Sequence, residues 1–387
     1  MRGVRLLCSA AVLAATAPGA ATNMPPSDPA SVLSPAAISL LQRGLHDLHD
    51  LSLREADESF AAVIATASNH PAGYVCRAIT TWCFNMADGP SDARRRSMAA
   101  LAAEAVGHGT RNAGRSDAWN DLFLGAAMIL RAASAADNQD SLDAMGWFKR
   151  GFGRLILATR SAESGPDARI LVGACQYFSD GLPWFVRQFS ALFITPPDRA
   201  QGIEQLSANI QDATFFGPDA KFLLATAYAW DDDEDRALEL LDELDRLFPR
   251  NHQLAALRQC VLLRAGSIAE AYLCASNCLA RIEHDSRLYL RGFMPDQQYA
   301  LGVIASTAAR HQDALNHFAT AFTLADRKPR LRAWAILRQG TTHDLLGQRE
   351  DALRCYRAAC ILQTDTQLVK SYAELFLDQP YQGETLE

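Results

Sequence analysis

Residues 222–251 read "FLLATAYAWDDDEDRALELLDELDRLFPRN", and the reading of its acidic centre decides the fold. Five consecutive acids, Asp231, Asp232, Asp233, Glu234 and Asp235, lie between two apolar stretches. They could form a cation site, an interaction patch, or the turn between two helices. A calcium loop takes oxygens from several spaced positions, with a glycine at its sharp bend and a distal glutamate. Neither the glycine nor the spaced glutamate is present. Asp232 or Asp233 could instead accept hydrogen bonds from the free N–H groups that open a following helix, where the helix dipole favours negative charge. The run therefore predicts a turn, with Tyr228 closing one helix and Ala237 starting the buried face of the next.

Counted outward from that turn, Ala225, Tyr228, Ala237, Leu241 and Pro249 fall in an order that resembles the tetratricopeptide repeat, a pair of antiparallel helices about 34 residues long. Leu244 is larger than the small residue usual at its position. Ala271 follows Ala237 by one repeat length, with Gly266 at the inter-helix turn and Ala275 and Cys278 as small packing residues. Leu301-Gly302, Ala314, Phe318 and Ala321 mark a third unit. Gly340, Gly347, Ala352, Tyr356 and Ala359 mark a fourth, in which His343 replaces the usual Tyr and Thr364 the usual Pro. Small residues at the helix crossing let two backbones approach, and a large residue fills the remaining gap. One hairpin cannot bury its apolar face alone, so neighbours must stack. The resemblance covers residues 217–365 and implies an all-α fold, a right-handed α-solenoid of antiparallel helical hairpins.

The N-terminal half carries the pattern more faintly. Ala56, Phe60 and Val63 precede His70-Pro71, as in a second helix running into the first helix of another unit. Before them, "SLLQRGLHDLHDL" puts Leu41, Leu45 and Leu48 on one helix face. Ala/Leu-rich stretches at 99–106, 119–133 and 142–159 continue as helices, so residues 24–175 are expected to be divergent hairpins of the same solenoid. Residues 176–216 form an aromatic-rich connector punctuated by Pro183 and Pro196-Pro197, and residues 366–387 a C-terminal helix and tail. The connector's order of Tyr177, Leu182-Pro183, Asp198-Arg199 and Gly202-Ile203 is similar to the centre of the tetratricopeptide repeat domain 39 family. Its Trp184, Phe185 and Phe189 are a candidate exposed patch for a partner or an apolar ligand.

Residues 1–23 differ from the rest. Arg2 and Arg5 form a basic start, residues 6–17 an apolar run, and small residues follow, the layout of a cleaved export signal. A periplasmic or secreted location is expected. No later segment reads as a membrane span, since the best candidate, 122–136, carries Arg131. Loss of Arg2 and Arg5 from 37 Lys+Arg against 44 Asp+Glu moves the net charge from −7 to −9. That balance argues against nucleic acid, whose phosphates call for clustered cations. Nine cysteines include Cys8 in the leader. Cys274 and Cys278 are four apart on a helix, where Cβ atoms lie about 5–6 Å apart, too far for a disulfide.

No phosphate-cradling loop, zinc-protease helix or nucleophile elbow is present, and Gly151-Phe152-Gly153 lacks the third glycine of a dinucleotide fingerprint. No cofactor or metal is expected. His46 and His49 could share a helix face and begin a metal site, but no third ligand is identifiable. The expected function is that of a non-catalytic scaffold or adaptor binding another protein, or a second copy of the chain, in a helical groove. The alternatives are a metal-dependent enzyme or accessory subunit around His46 and His49, and an apolar-ligand-binding protein. By the family's register the groove includes Phe222, Thr226 and Trp230 in the first unit, Tyr299, Val303 and Ser306 in the third, and Trp334, Leu337, Thr341 and Asp344 in the fourth.

Overall fold

The computed structural model describes residues 32–115, 117–138, 140–179, 198–362 and 367–383. Among the described residues the regular elements are seventeen α-helices and one 3-10 turn, Leu288–Phe293. They divide into two compact units, Met1–Cys83 with Asp92–Pro249, and Phe84–Ser91 with Arg250–Glu387.

The first unit contains α1 (Pro35–His49), α2 (Leu53–Thr66), most of α3 (Ala72–Asp88), α4 (Asp92–Asn112), α5 (Asn120–Asp137), α6 (Ser141–Ala158), α7 (Gly165–Ser179), α8 (Arg199–Ala208), α9 (Gly217–Trp230) and α10 (Glu234–Leu247). Hairpins α1/α2, α5/α6, α7/α8 and α9/α10 each pack as pairs, and α7 also touches α9, the first helix of the next hairpin. The second unit contains α11 (His252–Arg264), α12 (Ile268–His284), α13 (Met294–Thr307), α14 (His311–Leu324), α15 (Pro329–Leu345), α16 (Arg349–Ile361) and α17 (Gln367–Asp378). Here α11 contacts α13, α13 contacts α15 and α15 contacts α17, in addition to the contacts between immediate neighbours. Contact with both the following helix and the one after is the mark of stacked hairpins, and it makes the fold an all-α helical repeat of the tetratricopeptide type.

Three crossings show why the repeat needs its small residue. A Cβ on Gly302 would lie 2.6 Å from the Phe318 ring, one on Gly340 2.5 Å from Tyr356, and one on Gly44 2.4 Å from Phe60. Each pair is sixteen residues apart in the chain, and each ring is fully buried. The α1/α2 hairpin is thus a regular repeat, with Gly44 as the member that the sequence pattern around Phe60 lacked. The second of the four C-terminal repeats reverses the sizes: Gln259 is at the crossing position and Ala275 takes the place of the ring. The buried Gln259 side chain donates through Nε2 to Gln297 Oε1 at 2.9 Å, while its own Oε1 is enclosed without a hydrogen-bond partner among the described residues. In the divergent hairpins two glycines meet instead: Gly125 faces Gly151 across α5/α6, and Gly173 faces Gly202 across α7/α8.

The acidic run is a turn. Asp231 caps the end of α9, its N–H donating to Ala227 and Tyr228 carbonyls at 3.0 and 3.1 Å. Asp232 takes a left-handed φ of 59°. Asp233 caps α10 by accepting from the Arg236 N–H at 3.3 Å, and Glu234 and Asp235 occupy the first turn, where the dipole favours them. Asp231 also pairs with Arg199, whose guanidinium lies 4.6 Å over the Tyr177 ring.

The interior of the first unit is filled by its own chain. The buried Asp167 carboxylate on α7 accepts from the N–H groups of Thr214, Phe215 and Phe216 at 2.7–2.9 Å. That pins the loop before α9 so that Phe215 lies edge-on to Trp119 and Phe123, at centroid distances of 4.8 and 5.8 Å. His70, fully buried, accepts at Nδ1 from the Ala72 N–H and presents Nε2 to Asp117 at 3.0 Å. In the second unit, residues 84–91 pack on the repeats: Phe84 meets Tyr289, Asp88 pairs with Arg327 at 2.7 Å, and Gly292 has no room for a Cβ beside the Ala87 carbonyl.

Candidate functional site

The stacked first helices of the second unit present the surface a groove would use. On α11, Ala256, Cys260 and Arg264 are exposed at four-residue intervals, one above another on a single face. On α13, Thr307 is exposed, and Tyr299, Val303 and Ser306 are half-buried. Tyr299 rests against Phe318 at 5.5 Å, so its ring is braced from behind. Trp334 on α15 is half-buried and leans on Tyr372 of α17 at 6.3 Å. These five, with Ala256, Cys260 and Arg264, form a mixed apolar and polar face. The α11 residues were absent from the sequence expectation, although counting back from Ala271 in the same register reaches them.

Four of the expected groove residues turn out to be committed to packing. Leu337 is fully buried in the core with Ala333, Tyr356 and Phe376. Thr226 and Thr341 are buried, and their hydroxyls donate back along their own helices to the carbonyls of Phe222 and Arg338. The Asp344 carboxylate is almost wholly enclosed: it accepts from the Tyr356 hydroxyl at 2.8 Å, the Tyr381 N–H at 2.9 Å and Arg349 at 2.9 Å. Burial of a carboxylate is tolerated here because both of its oxygens accept hydrogen bonds and Arg349 balances its charge. In the first unit Phe222 is half-buried and Trp230 is half-buried beside Tyr177, 6.4 Å away. Trp184, Phe185 and Phe189 lie outside the described residues.

His46 and His49 do share a face of α1, but what they share it for is a ring. Both imidazoles pack against Phe248, at 5.3 and 5.2 Å, and His49 Nε2 lies 3.0 Å from an oxygen of Asp219 on α9. Among the described residues no group of three His, Cys, Asp or Glu side chains could hold a metal ion.

The thiols show the same enclosure. No disulfide joins the described cysteines; Cys76, Cys83, Cys175 and Cys278 are buried, and among the described ones only Cys260 is exposed. Burial pushes the Cys83 thiol up to about 12 and that of Cys355 to about 11, so neither is a nucleophile at neutral pH. Cys278 lies 3.6 Å from His252 Nδ1, an arrangement of the kind that activates a thiolate, but both side chains are closed to solvent. Among the described residues no helix is long and apolar enough to cross a membrane.

No family model matches the sequence, and no curated protein matches it. Solved structures resemble it in fold. Human IFIT1, solved as a dimer with m7Gppp-AAAA, aligns over 81% of this chain and 68% of its own, with 14% identity and a TM-score of 0.45. The P58(IPK) TPR domain aligns over 89% and 98%, with 14% identity and a TM-score of 0.26. The Cut9–Hcn1 hetero-tetramer of the APC/C aligns over 88% and 90%, with 14% identity and a TM-score of 0.34. These are likenesses of helical-repeat architecture.

Proposed function

We propose that the chain is an exported, non-catalytic scaffold that holds a protein partner against the first-helix face of its second unit. One observation carries this reading: Ala256, Cys260, Arg264 and Thr307 are exposed beside the half-buried Tyr299, Val303, Ser306 and Trp334, on helices whose backs are fixed by α12, α14 and α16. Braced aromatic anchors beside short polar groups suit a peptide or helix with apolar side chains, because little side-chain freedom is lost on contact. The net negative charge supports a protein partner over nucleic acid. Export is supported by the basic-then-apolar start of the sequence.

Crosslinking and affinity capture from the exported fraction test this. The wild-type chain is expected to retain a specific protein, and the double variant Ala256→Arg, Cys260→Arg to lose it while keeping its helical circular dichroism. Equal capture by both proteins would reject this face as the site, and substrate turnover by the purified chain would reject the scaffold reading.

A further inference from the structure

The first unit closes on itself through its N-terminal hairpin. His46 and His49 of α1 straddle Phe248, which follows α10, and Gln42 of α1 donates to the Thr214 carbonyl at 3.3 Å. His49 Nε2 meets Asp219 Oδ2 at 3.0 Å, across 170 residues of sequence. Asp219 is in the first turn of α9, just beyond the loop that carries Phe215. The contact therefore joins the unit's first hairpin to its last, and His49–Asp219 is a charged link across it.

We propose that α1 is a pH-dependent clasp, held on α9 by the His49–Asp219 pair and loosened when His49 loses its charge. A neutral imidazole can still donate one hydrogen bond to Asp219, but the ion pair is gone. On α1 itself His46, Asp47 and Asp50 lie nearby; on α9, Lys221 is taken by Glu243 of α10 at 2.6 Å. From α3 the thiols of Cys76 and Cys83, and from α7 the Asp167 carboxylate, are close enough to feel Asp219. Of all these groups, Asp219 is the one that acts on His49.

The direction follows from the surroundings. Burial, the largest influence, pulls the His49 imidazole down; the Asp219 charge and hydrogen bond together outweigh it, leaving a net upward displacement from 6.5. A histidine raised on folding adds stability that is complete below about 6.5 and is lost as pH rises through its folded value. The clasp is thus tight in mild acid and looser in alkali.

Two measurements on the full chain test it. The His49 ring-proton NMR titration, assigned by its absence in His49→Gln, is expected to have its midpoint above 6.5 and to fall in Asp219→Asn. Hydrogen exchange of α1, corrected for intrinsic rate and referred to α5, is expected to lose protection between pH 5.5 and 8.5 in wild type and to be flat with pH in His49→Gln. A wild-type midpoint at or below 6.5, or an unchanged protection slope in His49→Gln, would overturn the proposal. If circular dichroism shows that the variant is unfolded, the wild-type midpoint alone decides.

Discussion

Gly302 and Gly340 lack a side chain because an aromatic ring occupies the place where one would be. Adding a methyl at either position puts a carbon within about 2.6 Å of Phe318 or Tyr356, and the ring must leave its seat. Gly340→Ala is expected to cost about 1–3 kcal/mol, the range for overpacking a tight core, read as a lowered midpoint in urea with an unchanged slope. Asp344→Ala should cost about 3 kcal/mol, since it leaves the Tyr356 hydroxyl and the Tyr381 N–H without their acceptor and Arg349 without its ion pair. At this scale the sequence was partly legible. Gly302, Gly340, Phe318 and Tyr356 stand at fixed spacing and declare their pairing. Thr226 and Thr341 do not, because their burial depends on how closely neighbouring helices approach, and no spacing within one helix encodes that. Asp344 was misread for a related reason: its partners Tyr381 and Arg349 lie beyond its own helix, and an acid at a groove position looks the same in sequence whether it is free or enclosed.

Among the elements, α9 and α10 are joined by the acidic turn, in which Asp233 makes the capping hydrogen bond to the following helix. Asp233→Ala should destabilise the protein by about 1 kcal/mol, the usual loss for an N-cap, whereas Asp235→Ala should lie within about 0.5 kcal/mol of wild type. Paired thermal melts would separate the two, and equal effects would show that net charge rather than capping governs the turn. The loop before α9 is the other element with a clear task. Phe215→Ala should cost about 3–5 kcal/mol by opening a cavity against Trp119 and Phe123, visible as a lower unfolding midpoint. The sequence showed a Phe-Phe pair before a Gly-Pro helix start, but not that Asp167, almost fifty residues earlier, would receive the loop's N–H groups. Such pairings are geometric, formed only when the hairpins have already stacked.

Across the whole molecule, one repeat rule is expressed at three strengths. It is strict where glycine faces an aromatic ring, reversed where Gln259 faces Ala275, and reduced to glycine against glycine in α5/α6 and α7/α8. That gradient explains why residues 217–365 could be counted in register while the N-terminal half could only be recognised as helical. The first unit buries Phe215 against Trp119 and Phe123, whereas the second carries the exposed Ala256, Cys260 and Arg264 on a first helix. The two units should therefore respond differently to substitution: Phe215→Ala should lower stability and leave partner capture intact at temperatures where the chain is folded. Ala256→Arg with Cys260→Arg should do the opposite.

The last helix offers a mechanical reading. Arg349, at the start of α16, donates to the carbonyls of Phe376 and Leu377 that end α17, and the same guanidinium grips Asp344, which in turn holds the backbone of Tyr381. A pull on the chain from its C-terminal end meets this knot before it can peel α17 away. In an optical trap, the wild type should release α17 only at a force that breaks several hydrogen bonds at once, and Arg349→Ala should let it unzip turn by turn at lower load. This edge of the array should therefore owe much of its resistance to tension to one arginine, beside the apolar packing of Val369, Ala373 and Phe376.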